Sequence, residues 1–176
     1  MSKAVTKFVI KELSENDWRV YKAIRLRALA ESPDSFGSTW EREASFTPVH
    51  WKSRLNAVSE KNSTIAVVAT KNDMYIGLLS GVIQKSDSSR ANLYQMWVDP
   101  TCRGLGVGTA LIDEVRSWAV ERDARKLLLS VTTVNIEAMS LYKSIGFVPV
   151  GSTEALRPDS TLQSQAMELL LCVGES

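Results

Sequence analysis

The chain has 176 residues, of which 21 are Lys or Arg, 20 are Asp or Glu and one, His50, is histidine. This length suits a single domain over residues 1–176, and a hydrophobic share of 44% excludes wholesale disorder. A net charge of +1 does not provide the large excess of positive charge that favours binding to nucleic acid or to an anionic membrane. One histidine and two cysteines, Cys102 and Cys172, cannot form a multi-histidine metal centre or a four-ligand zinc site, so we expect no metal.

The sequence also argues against export and against hydrolytic chemistry. No apolar run reaches the roughly 20 residues that cross a bilayer, and no signal-peptide core precedes Lys11. Together with the free cysteines, this predicts a cytoplasmic protein. A Ser-His-Asp hydrolase is disfavoured, because the chain has no nucleophile-elbow motif to partner His50.

Hydrophobic periodicity predicts helices and strands without internal repeats. In the first part of the chain we expect a strand over residues 8–12, a helix that follows Ser14 and ends near Ser32, a loop over 33–46, and a helix from Pro48 to about Val58. The first helix ends near Ser32 because Pro33 disfavours the helical conformation of the residue before it.

The remainder of the chain is predicted to build most of the sheet. The β-rich runs 64–70 and 74–83 flank a hairpin turn at 71–73, and a third strand covers 91–98. A helix to about Arg122, a strand over 126–131 and a helix over 136–144, with Gly146 at its C′ position, come next. Strands over 147–150 and 166–173, separated by a loop over 151–165, complete an α/β or α+β sheet with helices packed on it.

A glycine-rich loop joins the strand over 91–98 to the helix that follows it. Gly104, Gly106 and Gly108 remove side chains where a ligand could approach the backbone, and a helix N-terminus favours a phosphate or pyrophosphate. Arg103 adds a cation that can bind phosphate. The loop lacks the Lys of a P-loop and the spacing of a Rossmann fingerprint. A turn that only packs the helix on the sheet is the alternative interpretation.

A second motif runs from Asn135 to Phe147, one helix and one strand downstream of the loop. The pattern Q/R-x-x-G-x-G/A beginning at Arg103 and the pattern N-x-x-A-x-x-L/F-Y-x-x-x-G-F beginning at Asn135 together resemble the GNAT superfamily of acetyl-CoA-dependent N-acetyltransferases. The resemblance is specific over residues 63–150. It implies a central mixed, mostly antiparallel sheet of about seven strands flanked by about four helices.

The resemblance implies transfer of an acetyl group from acetyl-CoA to a primary amine of a small molecule, by direct attack on the thioester. In that family, strand-end backbone groups, here those of Met96, Trp97 and Val98, bind the acetyl and pantetheine groups. The loop would hold the coenzyme A pyrophosphate through Arg103, Gly104, Leu105, Gly106, Val107, Gly108 and Thr109.

The resemblance gives two residues of the second motif a role. Asn135 would contact the pantetheine arm, and Tyr142 would donate a proton to the departing thiolate as general acid. Each residue also has a structural interpretation. Asn135 is well placed as a helix N-cap, Tyr142 lies on the apolar stripe of its helix, and Arg103 could be a solvated surface charge.

The acceptor side and the general base are less defined. Some family members carry a Glu on the strand before the loop as base, but Tyr94 stands at that position here. Glu41 and Glu43 are candidates for the base, with an exposed acidic loop as the alternative. With these acids, Phe36 and Trp40 predict an acceptor pocket with aromatic walls and negative charge, suited to a cationic amine.

Two other functions stay open at this point: a protein N-terminal or lysine acetyltransferase, and an acyl-CoA-binding domain without turnover. The resemblance also admits a homodimer, because family members often pair through C-terminal strands and residues 167–173 are apolar enough for such a contact.

Overall fold

The computed structural model describes residues 7–56 and 63–172. Within them, eight strands form one sheet: β1 (Val9–Glu12), β2 (Thr64–Lys71), β3 (Met74–Ile83), β4 (Arg90–Val98), β5 (Lys126–Thr132), β6 (Val148–Pro149), β7 (Glu154–Ala155) and β8 (Gln163–Leu170). The α-helices are α1 (Trp18–Glu31), α2 (Trp40–Ala44), α3 (Pro48–Asn56), α4 (Val107–Val120) and α5 (Ile136–Ile145). None of these helices is long and apolar enough to cross a membrane.

The strands are ordered β1-β2-β3-β4-β5-β8-β6, and β7 pairs with β8. Every pairing is antiparallel except the one between β4 and β5. The predicted fold class, a mixed and mostly antiparallel sheet flanked by helices, is therefore confirmed. The described residues contain one strand more than predicted, β7, and one α-helix more than predicted, α2.

Three segments differ from their predictions. The predicted loop over 33–46 contains α2, whose first turn is capped by the Thr39 hydroxyl accepting from the backbone N–H of Arg42 at 3.3 Å. The predicted loop over 151–165 contains β7 and the first residues of β8. The last strand is therefore Gln163–Leu170 rather than 166–173, because backbone pairing with β5 extends to Ser164 whatever the polarity of its side chains.

Smaller differences concern the ends of elements. The predicted strand over 147–150 is reduced to Val148–Pro149, and the helix predicted to reach about Arg122 ends at Val120. The predicted end of the second helix near Val58 lies outside the described residues. Gly146 follows α5 as predicted, and its N–H donates to the carbonyl oxygen of Tyr142 at 3.2 Å.

Two hydrophobic cores cover the two faces of the sheet. One core joins α1 and α3 to the sheet, with Trp51 and Leu29 fully buried. The other joins α4 and α5 to the opposite face, with Leu111 and Ile112 fully buried. Each such side chain is worth about 1.5–3 kcal/mol of burial, so both helix layers are anchored on the sheet.

The sheet opens at its centre. The parallel ladder between β4 and β5 covers only residues 90–92 of one strand and 126–128 of the other. Beyond Asn92 and Leu128 no register joins the two strands, so their carboxyl ends diverge. This gap lies between the two helix layers and can be reached from both.

Candidate active site

A cleft of about 1330 Å³ lies where β4 and β5 diverge. Its walls include residues 93–98 of β4 and 129–132 of β5, residues 106–109 at the start of α4, and the inner side of α5. On the other side of the sheet, Glu31 at the end of α1 and the segment 32–38 that follows it complete the cleft. The cleft therefore touches both helix layers, and chemistry placed in the gap can draw on groups from each.

A β-bulge in β4 determines which side chains face each layer. The register between β4 and β3 shifts at this point, and Gln95 has a left-handed φ of 64°. Before the bulge, Leu93 packs with the α4 core. After it, Met96 and Val98 pack with that core and Trp97 packs with the α1 core. The extra residue thus reverses the alternation of the strand where it borders the cleft.

Gln95 itself is anchored by its side chain. Its Oε1 accepts from the Tyr21 hydroxyl at 2.7 Å and from the Ser80 hydroxyl at 3.2 Å. The strained residue is therefore held from α1 and from β3 at once. Residues 93–98, whose edge toward β5 has no ladder partner, keep a defined geometry beside the cleft.

The glycine-rich loop opens into the cleft at the start of α4. Gly104 and Gly106 have φ of 74° and 84°, and a Cβ at either position would meet nothing within 4 Å. Gly106 is the N-cap of α4 and offers no capping side chain, so the first-turn N–H groups remain available to an anion. Leu105 is 51% exposed on the same loop. Among the described residues, the loop combines open space with first-turn N–H groups that no capping side chain accepts from, which are the features that a pyrophosphate site requires.

Two other loop residues have a packing role. A Cβ at Gly108 would lie 2.9 Å from side-chain atoms of both Leu141 and Met96. This glycine therefore lets α4 approach α5 and β4, rather than leaving room for a ligand. Val107 is buried in the α4 core, whereas Thr109 is half-buried and lines the cleft.

Arg103 is held in place by neighbouring groups. Its Nε donates to the carbonyl oxygen of Val98 at 3.0 Å, and its Nη2 donates to Glu31 Oε2 at 3.0 Å. The same carboxylate oxygen accepts from the Trp97 indole at 2.8 Å. Although partial burial opposes it, hydrogen bonds from Ser32 and Trp97 and the charge of Arg103 hold the pKa of Glu31 below its ordinary value. Arg103 therefore links the end of α1, the end of β4 and the loop.

Asn135 caps α5 and also faces the cleft. Its Oδ1 accepts from the N–H of Ala138 at 3.1 Å, as the cap interpretation predicts, and its Nδ2 donates to Ser35 Oγ at 3.3 Å. Asn135 thus connects the α5 terminus to the segment after α1, and its amide group is part of the cleft wall.

Tyr142 is 6% exposed and lines the same cleft from α5. Its ring packs edge-to-face on Phe147 with centroids 5.8 Å apart. Burial raises the pKa of the phenol well above its ordinary value, so the hydroxyl is protonated at neutral pH. Among the described residues, burial is the only cause of this shift and no hydrogen bond contributes to it, which leaves the proton available to a ligand.

The predicted acceptor residues are only partly brought together. Phe36 is buried and lines the cleft. Trp40 and Glu41 are exposed on α2 and do not line it. The short helix explains this separation, because it turns Glu43 inward and leaves the residues at its N-terminus on the surface.

Glu43 is a buried ion-pair partner. Its carboxylate accepts from Arg25 Nε at 3.1 Å, from Arg25 Nη2 at 2.8 Å and from Arg54 Nη1 at 2.9 Å. Burial alone would raise the pKa of Glu43, but the hydrogen bonds and charges of the two arginines hold it below its ordinary value. A carboxylate in this state is unsuited to accept a proton from an amine, so the geometry does not favour Glu43 as the base.

The sequence interpretation missed Arg25, Arg54 and Gln95 as cleft residues. A signal existed for Arg25, because it lies four residues after Tyr21 and four before Leu29 on the buried stripe of α1. No comparable signal marks Gln95. Among the described residues, no group of three or more His, Cys, Asp or Glu could hold a metal ion.

Similar proteins were found by sequence. An uncharacterised N-acetyltransferase of Methanocaldococcus jannaschii is 40% identical over 57 residues, which are 32% of this chain and 25% of that protein. The N-acetylaspartate synthetase of Danio rerio is 32% identical over 87 residues, 49% of this chain and 30% of that protein. The matched part of this chain thus spans no more than 30% of either relative.

Solved structures extend the likeness over the whole fold. A GNAT-family acetyltransferase from Streptococcus pneumoniae superposes with a TM-score of 0.81 at 22% identity, covering 94% of this chain and all of that one. The spermidine N-acetyltransferase of Vibrio cholerae, in complex with CoA and spermine, has a TM-score of 0.73 at 17% identity and covers 93% and 95%. These likenesses show the fold. Residues 25–147, well over half of the chain, match the Acetyltransferase (GNAT) family, and the chain belongs to that family.

Proposed function

We propose that this protein transfers an acetyl group from acetyl-CoA to the primary amine of a small molecule. The observation that carries the proposal is the cleft at the gap between β4 and β5, because the glycine-rich loop, the start of α4 and Tyr142 all line it. The N-terminus of α4 can bind a phosphate group, and the Tyr142 phenol in the same cleft is protonated. Both features suit an acyl donor that carries phosphate groups and a thioester.

The donor side of the cleft fits coenzyme A. Loop N–H groups from Gly104 to Thr109 would hold the pyrophosphate, and the exposed edge of β4 and the Asn135 amide offer partners for the pantetheine arm. Acetyl-CoA supplies the acetyl group on an activated thioester, so the protein need not provide a nucleophile. The CoA complex of the Vibrio cholerae neighbour supports the same ligand for this fold.

The chain's own residues would assist the transfer in two ways. A backbone N–H on the exposed edge of β4, at Met96 to Val98, can donate to an oxygen that gains negative charge. Tyr142 can donate the proton of its Oη to a leaving thiolate, whose thiol has a pKa of about 8.5 by analogy with cysteine, and the phenolate then regains a proton from water that has taken up the proton of the amine. Because burial raises the pKa of Tyr142, the residue keeps this proton throughout the physiological range.

No side chain is assigned as the base. Tyr94 occupies the position on β4 at which some family members carry a Glu base, and Glu43 forms ion pairs with two arginines. We propose that the amine loses its proton to water in the cleft, which is open enough to hold water near the reacting groups.

A small acceptor is favoured by the segment 33–36, which forms part of the cleft wall. Arg157 Nη1 donates to the carbonyl oxygens of Pro33 and Phe36, each at 3.2 Å, and the Thr132 hydroxyl donates to that of Asp34 at 2.8 Å. These bonds fix the segment in the cleft wall, whereas a peptide substrate favours a wall that can open into a groove. The similar proteins include an N-acetylaspartate synthetase and a spermidine N-acetyltransferase, so their names do not identify one acceptor for this protein.

A turnover assay tests the proposal. Purified protein would be incubated with acetyl-CoA and a panel of amines, with thiol release and product mass as readouts. The panel contains amino acids, polyamines, aminoglycosides, an N-terminal peptide and a lysine peptide. We expect acetylation of a small amine. Acetylation of the peptides alone would replace this function with protein acetylation, and acetyl-CoA binding without thiol release would indicate a non-catalytic binding domain.

A further inference from the structure

We infer that the acceptor carries a carboxylate besides its amine, as an amino acid does, and that this carboxylate binds beside Arg25 and Arg54. The inference rests on the proposed acetyl transfer and adds the chemical class of the acceptor. The group that carries it, here called the arginine wall, consists of Arg25, Glu43 and Arg54, which all line the cleft.

The arginine wall has a positive charge in excess. Two guanidinium groups share the one carboxylate of Glu43, and the exposed fractions of the side chains are 4% for Arg25, 1% for Glu43 and 26% for Arg54. Burial of an incompletely paired charge is unfavourable unless an anion joins it. An acceptor carboxylate would supply this anion.

One donor of the wall is also unused. Arg25 donates hydrogen bonds from its Nε and Nη2 to the Glu43 carboxylate, but its buried Nη1 has no hydrogen-bond partner in the described part of the chain. The guanidinium is fixed in this orientation by stacking on the Phe36 ring, 4.5 Å from the ring centroid. Planar guanidinium groups with free donors are the side chains best suited to bind a carboxylate. Arg54 is the more accessible of the two arginines and offers the first contact.

The other charged groups of the cleft do not cancel this excess. Glu31 is paired with Arg103. Asp34, Glu137 and Glu154 are exposed, so solvent and salt screen their charges. In the described structure, Arg25 and Glu43 are the charged residues that are buried. The buried acceptor side of the cleft is therefore positive, the opposite of the negative pocket that the acids of residues 41–43 predict, and it disfavours a polyamine.

The first test uses the unmodified protein and a matched series of acceptors. Glycine, L-leucine, L-phenylalanine, L-aspartate, β-alanine and γ-aminobutyrate are each compared with the corresponding carboxamide and the decarboxylated amine, and spermidine is included. We expect the best acceptor to carry a carboxylate and its carboxamide to have a kcat/KM at least about 100-fold lower, because a buried donor site rejects an analogue that leaves it unpaired. Equal or better turnover of carboxamides, decarboxylated amines or spermidine would overturn the inference.

A variant pair locates the contact. Arg54→Gln should raise KM for the best acid by about 10-fold or more, with little change in kcat, and should reduce the preference for the acid over its carboxamide. Arg42→Gln, on α2 and outside the cleft, is the control and should change neither. Thermal melting checks that both variants fold. An equal loss for acid and carboxamide would contradict carboxylate binding at the arginine wall.

A binding readout separates this inference from the proposed function. The same acids and carboxamides are titrated calorimetrically into the protein with and without CoA, and we expect heat from the acid only. If amines turn over without an acid preference, the inference fails and the acetyltransferase proposal stands. If no amine turns over, the proposed function fails, and a carboxamide that binds as well as its acid would overturn the inference independently of turnover.

Discussion

The two halves of the cleft are built in different ways. The donor half is the part that the proposed function assigns to acetyl-CoA, residues 93–109 with Asn135 and Tyr142; it comes from two short stretches of sequence and offers mainly backbone groups. The acceptor half, which the same proposal assigns to the amine, lies within residues 25–54 and depends on side chains that meet across long separations, such as Arg25 with Glu43 on another helix. The backbone N–H groups of the donor half are set by local sequence motifs. The charge of the acceptor half is set by which side chains form ion pairs with one another. A substitution that changes the side-chain pairs of the acceptor half can therefore leave the backbone groups of the donor half in place.

Loss of the buried Arg25–Glu43 pair in the acceptor half is expected to destabilise the protein strongly. Arg25→Gln should lower the free energy of unfolding by about 3–5 kcal/mol, because it leaves Glu43 buried with one partner fewer. Arg116→Gln breaks an exposed Arg–Asp pair on α4 and should cost less than about 1 kcal/mol. Urea denaturation of both variants measures the difference. Equal losses would contradict a buried and structurally important arginine wall.

Tyr142→Phe tests the chemistry of the donor half. Removal of the phenol proton should lower kcat by about 100-fold or more, while the Kd for acetyl-CoA changes little, because the ring and its packing on Phe147 remain. Tyr75→Phe, outside the cleft, is the matched control. Steady-state kinetics and titration provide the readouts, and unchanged turnover would exclude Tyr142 as the acid.

Gly106→Val tests the backbone site itself. A β-branched side chain at a φ of 84° strains the loop and projects into open space at the start of α4, so acetyl-CoA affinity should fall by at least about 10-fold. Gly151→Val has a similar φ of 69° and the same open surroundings, but it lies outside this cleft. We expect comparable destabilisation from both and loss of affinity from the first alone. A similar loss of affinity in both would mean that the effect is only structural.

The smallest expected effect separates two roles of Arg103. Arg103→Ala should weaken acetyl-CoA binding by about 10-fold if the guanidinium moves from Glu31 to a phosphate, since an exposed ion pair is weak. Glu31→Gln releases Arg103 but keeps an acceptor for the Trp97 indole, and it should leave affinity unchanged or higher. Equal weakening by both variants would show that the contact with Glu31, rather than a phosphate contact, is the function of Arg103.

The sequence predicts most of the fold and points to the residues proposed for the donor half, because both depend on local patterns. Strands β2 to β4, helices α4 and α5, and the two motifs appear as periodic apolar residues, glycines and caps. It does not predict α2 or β7, which are too short for a periodic signal. Nor does it reveal the bulge at Gln95, which depends on partners in α1 and β3. The ion pairs of Glu43 are not predicted either, because they depend on arginines of two other helices.

Calorimetric titration of acetyl-CoA into the folded protein, with ATP and dephospho-coenzyme A as comparators and Gly106→Val as the variant, measures whether the cleft binds the acetyl donor through the glycine-rich loop. We expect micromolar binding of acetyl-CoA, retained binding of dephospho-coenzyme A, no heat from ATP, and a marked loss of affinity in the variant. Absence of acetyl-CoA binding, or binding that the variant does not weaken, would contradict this expectation and would reduce the glycine-rich loop to a packing turn.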